Sequence, residues 1–330
     1  MKNPRRARVD KSVCIDLGGT NMRIALVGAG GEILRRARFV THADRGWRDI
    51  VERMARGVKE LVATEGTESC TGVGVGVPGA LLHKEGVVID SPNLPGWHKV
   101  PLRRFLRDRL HCPVVVENDA DAAALGEGCY GAARGIRNYL GITLGTGVGG
   151  GLVLDGKLWR GPEATAGEVG HFPVETAGFP CGCGSHGCLE TVASATGIVR
   201  MALEALEAGR DTEIRRLSGD SVANIDAEVV SRAARQGDRV AQGIFHRMAV
   251  TLAMVLAGIV NLLQLEALII GGGVAASWDC FGDTLRQEMQ KRLFSGPPRD
   301  VRILQAELGD DAGILGMARR VFEETGVPIG

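Results

Sequence analysis

An excess of charge of either sign is missing from this sequence: 39 Lys and Arg are matched by 39 Asp and Glu, for a formal net charge of zero. A chain-wide field that would draw the protein to nucleic acid or to an anionic membrane is therefore excluded, and any polyanion it binds must be held locally. A secretory leader is missing too. Residues 2–8 are basic, but no apolar segment or small-residue cleavage site follows them, so a cytoplasmic location is expected. No Gly/Ser linker, collagen-like period, short repeat or low-complexity tract appears, which excludes a fibre or a solenoid. The longest charge-free stretch, residues 248–265, carries Thr251, Asn261 and Gln264. A membrane span is about 20 almost unbroken apolar residues, so this stretch is expected to be a helix buried in a soluble core.

Two common phosphate fingerprints are absent as well. No loop supplies the Lys-Ser/Thr ending of the Walker pattern, and no single glycine loop opens a helix in the dinucleotide pattern. What the chain does have is 48 glycines, gathered at a few junctions where an apolar strand meets a turn. With 330 residues it exceeds the roughly 250–300 that one core serves, so two domains are expected. Residues 13–17 and 22–27 flank Gly18-Gly19-Thr20 and read as a β-hairpin. Residues 139–155 repeat that logic around Gly145-Thr146-Gly147, which points to a duplicated fold. Apolar Ile50, Val51, Met54, Val58, Leu61 and Val62 have helical spacing within residues 47–63. Strands are expected at 71–77, 113–117 and 267–270, and helices at 119–130 and 311–324, the last capped by Asp310 and Asp311.

Three glycine turns follow apolar strands: Asp16-Leu17-Gly18-Gly19-Thr20, Leu144-Gly145-Thr146-Gly147 and Ile270-Gly271-Gly272-Gly273. Each alone reads as a tight turn needing positive φ. Together they read as backbone N–H groups converging on phosphate oxygens without Cβ interference, with Thr20 and Thr146 as hydroxyl donors. A second signal is Glu117-Asn118-Asp119-Ala120-Asp121 at a strand-to-helix junction. In isolation this is an N-cap cluster. In company with phosphate turns, Asp119 becomes a carboxylate whose charged form the helix N-terminus favours, ready to accept a proton from a ligand hydroxyl or to orient that hydroxyl. The third signal is Glu168-Val169-Gly170-His171 followed by Cys181, Cys183 and Cys188. Three thiols and an imidazole close a tetrahedral Zn²⁺ site with no position for water, which makes the metal structural. His171 is the expected fourth ligand, and His186, inside the Cys loop, is its rival. The remaining thiols, Cys14, Cys70, Cys112, Cys129 and Cys280, lie in apolar or helical settings and read as packing residues. Disulfides are not expected in so long a chain without a leader.

These motifs resemble the ROK family of bacterial sugar kinases and repressors. The most specific match is Glu168-x-Gly170-His171 through Cys181-x-Cys183-Gly184-x-x-Gly187-Cys188-x-Glu190, and the likeness runs from about Val13 to the final helix. It implies an α/β actin-like ATPase (ribonuclease H-like) fold of two lobes with central mixed sheets and an interlobe cleft. The small lobe would be residues 1–118, joined by a final helix at about 308–330; the large lobe would be 119–307, carrying the zinc loop 168–190. It also implies Asp119 as general base, Asn93, Asn118, Glu168, His171 and Glu190 as holders of sugar hydroxyls, and Asp16 as the residue that helps place Mg²⁺ with ATP. The zinc would orient the sugar loop and take no part in the chemistry. Partners would be a hexose and ATP, and the assembly a homodimer. Cys188-Leu189-Glu190-Thr191 and Asn93-Leu94-Pro95-Gly96-Trp97 look most like the family's glucokinases. N-acetylmannosamine, N-acetylglucosamine and fructose kinases share much of the motif set. A sugar-responsive repressor is disfavoured: only ten residues precede the first strand, and the charge is zero.

Overall fold

The computed structural model describes residues 10–64, 70–91, 93–294 and 300–328. The basic segment 2–8 and Pro92 lie outside them. The chain forms two compact units. The first runs to Gly135 and also takes in Leu158–Ala166 and the chain from Leu308 on; the second is Ile136–Lys157 with Gly167–Glu307.

The first unit opens with strands β1 (Lys11–Leu17), β2 (Asn21–Gly28) and β3 (Ile33–Val40), then helix α1 (Gly46–Thr64), β4 (Gly72–Val77), the short strands β5 (Ala80–Leu82), β6 (Val87–Asp90) and β7 (His98–Val100), α2 (Leu102–Leu110), β8 (Val114–Asn118) and α3 (Asp119–Tyr130). Five strands make one sheet in the order β3-β2-β1-β4-β8. Its central strands are apolar on both faces because both are covered. Side chains alternate across a strand, so Val13, Ile15 and Leu17 meet α1 and α2, while Cys14 on the other face meets α3 and the last helix of the chain. β2 is antiparallel to β1, whereas β4 is parallel to β1 and to β8. The three parallel strands therefore end along one edge, where Gly18, Pro78 and Asp119 follow. Strands β5, β6 and β7 form a small antiparallel sheet that spacing alone did not reveal.

The second unit continues with β9 (Tyr139–Leu144), β10 (Val148–Leu154), β11 (Lys157–Leu158), α4 (Glu190–Ala193), α5 (Ala195–Glu207), α6 (Ile214–Leu217), α7 (Ala227–Arg235), α8 (Arg239–Leu263), β12 (Ala267–Gly271), α9 (Trp278–Arg292) and β13 (Arg302–Gln305), before α10 (Ala312–Thr325) returns to the first unit. Its sheet order is β11-β10-β9-β12-β13. Here too a hairpin leads and two parallel strands follow. The two sheets share one topology, the duplicated fold that the paired hairpins announced. The apolar stretch at 248–265 is the second half of α8, which starts earlier because the Asp238 side chain caps it through the Ala241 N–H at 2.8 Å. Phe245, Met248, Leu252 and Leu256 are fully buried in the unit's core. Among the described residues α8 alone has the length and apolarity to cross a membrane, and 56% of its most apolar window is buried.

Two details differ from expectation. Division after Asn118 would fall between β8 and α3, whose two sides stay in one unit because α10 packs against both. Gly126 of α3 and Gly316 of α10 permit that approach: a Cβ on either would collide with backbone of the other helix. The Glu127 carboxylate also accepts the Leu308 N–H at 2.9 Å, fixing the returning chain. Asp310 and Asp311 precede α10 as expected, but Asp311 makes no side-chain cap. Both carboxylates instead pair with the sheet, Asp310 with Arg23 at 2.7 Å and Asp311 with Arg36 at 2.8 Å.

Candidate active site

Each unit gathers its own set of functional candidates at the carboxyl edge of its sheet, where open α/β sheets place ligands. In the first unit the Gly18-Gly19-Thr20 turn is locked by Thr41, whose hydroxyl donates to the Gly18 carbonyl at 2.7 Å and whose N–H donates to the Thr20 carbonyl at 2.8 Å. A Cβ at Gly19 would stand 2.7 Å from the Asn93 carbonyl oxygen, so the turn and the Asn93 loop touch. Asn93 is exposed while Leu94 and Trp97 are buried, which pins the loop by its apolar residues and leaves the amide outward. Asn118 caps α3, its carbonyl accepting the Ala120 and Asp121 N–H groups. Its amide donates to the Gly79 carbonyl at 3.3 Å, leaving one amide hydrogen for a ligand. Asp119 is half-buried as the first residue of α3. Arg23 holds Asp16 at 3.1 Å. Burial raises the Asp16 pKa, and Arg23 offsets only part of that, so a second cation nearby would favour its charged form.

Sequence reasoning missed the most heavily paired group of this edge. The Glu117 side chain, 2% exposed, accepts from His83 Nε2 at 3.1 Å and from Arg160 Nε at 3.1 Å and Nη2, with Arg320 Nε at 3.4 Å. Burial pushes the Glu117 carboxyl up, but hydrogen bonds from His83 and Arg160 more than reverse this, holding it at about 2 against an ordinary 4.5. A folded-state pKa below the unfolded one gives stability that is fully present above pH 4.5 and is lost as pH falls toward 2. The contribution is on the order of 3 kcal/mol, with roughly 60% gone by pH 3. Urea unfolding midpoints at pH 6 and pH 3 should therefore fall further for wild type than for Glu117→Gln; parallel losses would remove the pair from the acid response.

In the second unit, β9, β12 and β13 are parallel, so the Gly145-Thr146-Gly147 and Gly271-Gly272-Gly273 turns share one edge. Gly272 has φ +86° and packs on the end of β9, where a Cβ would lie 2.5 Å from the Leu144 carbonyl oxygen. Built Cβ atoms at Gly145 and Gly273 meet nothing within 4 Å, so open space lies beside both turns. The first turn is tied down by the segment that follows the Cys loop. Glu190 accepts the Val148 N–H at 3.1 Å, the Ala195 N–H donates to the Gly145 carbonyl at 2.8 Å, and the Thr196 hydroxyl donates to the Thr146 carbonyl at 2.8 Å.

His171, Cys181, Cys183 and Cys188 come together with all ligand atoms within 4.8 Å of one another. The His171 imidazole is the one brought to the thiols, and the rival His186 is exposed in the loop. A tetrahedral zinc with bonds of about 2.3 Å to sulfur and 2.0–2.1 Å to nitrogen requires edges of about 3.8 Å between sulfurs and about 3.6 Å between sulfur and nitrogen. Cys183 and Cys188 sulfurs are 3.8 Å apart, and Cys181 Sγ is 3.5 Å from His171 Nδ1, so the donor set fits. The other ring nitrogen, Nε2, lies 3.8 Å from the exposed Glu168 carboxylate. Of the cysteines read as packing residues, Cys14 is fully buried, and Cys70, Cys112 and Cys280 pack against the cores.

The chain is similar to known proteins over almost its whole length. The sequence model of the ROK family matches residues 12–323. The glucokinase of Thermotoga maritima is 38% identical over 316 residues, covering 96% of this chain and 98% of that protein. A crystallised ROK family glucokinase from Streptomyces griseus, in complex with glucose and AMPPNP, superposes with a TM-score of 0.80 at 36% identity, covering 94% of this chain and 98% of that one. The xylose repressor of Caldicellulosiruptor bescii is 30% identical over 322 residues, covering 96% of this chain and 79% of that protein. With the family match reaching from β1 to α10 and relatives aligned almost end to end, the chain belongs to the ROK family.

Proposed function

We propose that this protein transfers the γ-phosphoryl group of ATP to glucose, giving glucose 6-phosphate, with Asp119 as general base. The observation that carries this reading is the Streptomyces griseus relative, crystallised with glucose and with AMPPNP standing in for ATP, whose fold matches 94% of this chain. Asp119 takes the proton of the sugar hydroxyl as its oxygen bonds to the γ-phosphorus, and ADP leaves from the opposite side. Phosphoryl transfer asks for positioning and charge stabilisation above all. Positioning falls to side chains that hydrogen-bond hydroxyls: Asn93, the spare amide hydrogen of Asn118, Glu168, His171 and Glu190. One sugar hydroxyl can bridge the 3.8 Å between His171 Nε2 and Glu168.

The phosphates fall to the backbone of Gly18, Gly19 and Thr20, of Gly145, Thr146 and Gly147, and of Gly271, Gly272 and Gly273. Asp16 would hold Mg²⁺, which when bound neutralises phosphate charge. Zn²⁺ is the metal that His171, Cys181, Cys183 and Cys188 would hold, and in a closed site its contribution is to cross-tie the 168–190 loop. The cytoplasmic location and the homodimer belong to the same reading. Gly272→Ala is expected to raise the KM for ATP several-fold with little change in the KM for glucose, since positive φ and the Leu144 contact strain the turn by about 1–3 kcal/mol. An unchanged ATP KM would take this turn out of the nucleotide site.

The deciding experiment is a coupled assay of ADP release over glucose, mannose, fructose, N-acetylmannosamine and N-acetylglucosamine. Glucose is expected to give the highest kcat/KM. A higher value for another sugar reassigns the substrate. Saturable sugar binding without ADP release would align the protein with its repressor relatives.

A further inference from the structure

We infer that Arg160 is a positioning residue for Asp119, acting through Glu117. The inference deepens the kinase reading and rests on it. Glu117 is the penultimate residue of β8 and lies two residues before Asp119, with Asn118 between them as the cap of α3. Whatever fixes Glu117 fixes the end of the strand from which the base projects. Burying a carboxylate costs several kcal/mol unless cations and hydrogen bonds compensate. Three segments of the first unit supply that compensation: His83 from the turn after β5, Arg320 from α10, and Arg160 from Leu158–Ala166.

Arg160 is the member whose placement needs an explanation. The chain on either side of Leu158–Ala166 belongs to the second unit, yet this short segment belongs to the first. The segment closes on itself through the Ala166 N–H, which donates to the Arg160 carbonyl at 2.9 Å. Its guanidinium reaches both Glu117 oxygens, with Nε 3.2 Å from Oε1 and 3.1 Å from Oε2. A two-pronged guanidinium fixes the orientation of a carboxylate as well as its charge, which a lysine ammonium does not. The same segment leads directly into Gly167 and Glu168. A pair serving stability alone is a poor use of a buried charge, because an apolar replacement of similar volume often serves as well. Orientation of the neighbouring base is what the geometry adds.

The test uses Arg160→Ala and Arg160→Lys in the full chain, each alone and combined with Asp119→Asn, with kcat, KM, thermal melts and pH profiles. Arg160→Ala is expected to lower kcat roughly 100-fold, the scale of a misplacement of about 1 Å, with glucose KM changed far less. Arg160→Lys should recover part of the loss, keeping the charge but not the fork. The acid limb of kcat/KM should move to higher pH in Arg160→Ala, because loss of a cation raises the pKa of the carboxyl groups around it and Glu117 then keeps only His83 and Arg320. On the Asp119→Asn background the Arg160 substitution should have little further effect, since groups acting as a unit are not additive. A lowered melting temperature with kcat unchanged, or a full 100-fold loss persisting without Asp119, would overturn the inference. Wild-type turnover by Asp119→Asn alone would instead overturn the base assignment, and the single substitutions tell the two failures apart. Should Arg160→Ala not fold, Arg160→Lys and its pH profile carry the same decision.

Discussion

Asp119→Asn is expected to lower kcat for glucose phosphorylation by roughly 10²–10⁴-fold, the range that a positioned general base contributes. Glucose affinity should change little, because the substitution keeps the size and the hydrogen-bonding reach of the side chain while removing its ability to take a proton. The fold should survive: the cap of α3 is Asn118, and its carbonyl still accepts the Ala120 and Asp121 N–H groups. Coupled ADP release measures the rate, and titration calorimetry with glucose measures the binding. A variant turning over at the wild-type rate would take the proton transfer away from this residue. A variant that no longer binds glucose would make Asp119 chiefly a hydroxyl holder.

Loss of the metal has the second-largest expected effect. Purified protein should carry about one zinc per chain, and Cys183→Ser, or extraction by a strong chelator, should remove it. The loop from Glu168 to Glu190 has few apolar residues of its own, so the four ligands hold it together. His171 and Glu190 belong to that loop, and loss of the metal should weaken glucose binding by roughly 10–100-fold, as loss of ligand-orienting contacts does. The Glu190 carboxylate touches both Cys181 and the Val148 N–H, so ATP binding should weaken with it. Elemental analysis and calorimetry on the same samples check both effects. Metal-free protein with full glucose affinity would make the cluster irrelevant to the sugar.

Local pattern reported most of the fold. The apolar runs before Gly18 and Gly145 defined both hairpins, and the Ala-rich stretch after Asn118 defined α3, because each is decided by residues adjacent in sequence. β5, β6 and β7 escaped because strands of three or four residues leave too few positions for alternation to register. The metal cluster was legible since its thiols lie within eight residues of chain. Glu117 stands inside the Glu117-Asn118-Asp119-Ala120-Asp121 motif, but nothing in the sequence ties it to His83, 34 residues before, or Arg160, 43 residues after. Asp310 and Asp311 were read by proximity as caps. Long-range partners on β2 and β3 claimed them, because Arg23 and Arg36 reach across and offer a stronger hydrogen bond than the helix amides.

The return of α10 to the first unit bears on how the chain matures during synthesis. Cys14, Val115 and Ala122 lie in an apolar cluster that Ile314, Leu315 and Met317 of α10 complete. Residues 136–307 must leave the ribosome before that cluster is whole, a delay of roughly 10–30 s at ordinary elongation rates. Throughout it, the face of the opening sheet that α10 covers is incompletely buried, the kind of exposed apolar surface that chaperones shield. The second unit, contiguous apart from one short excursion, can complete its core first, so the part made earliest is the last to be finished.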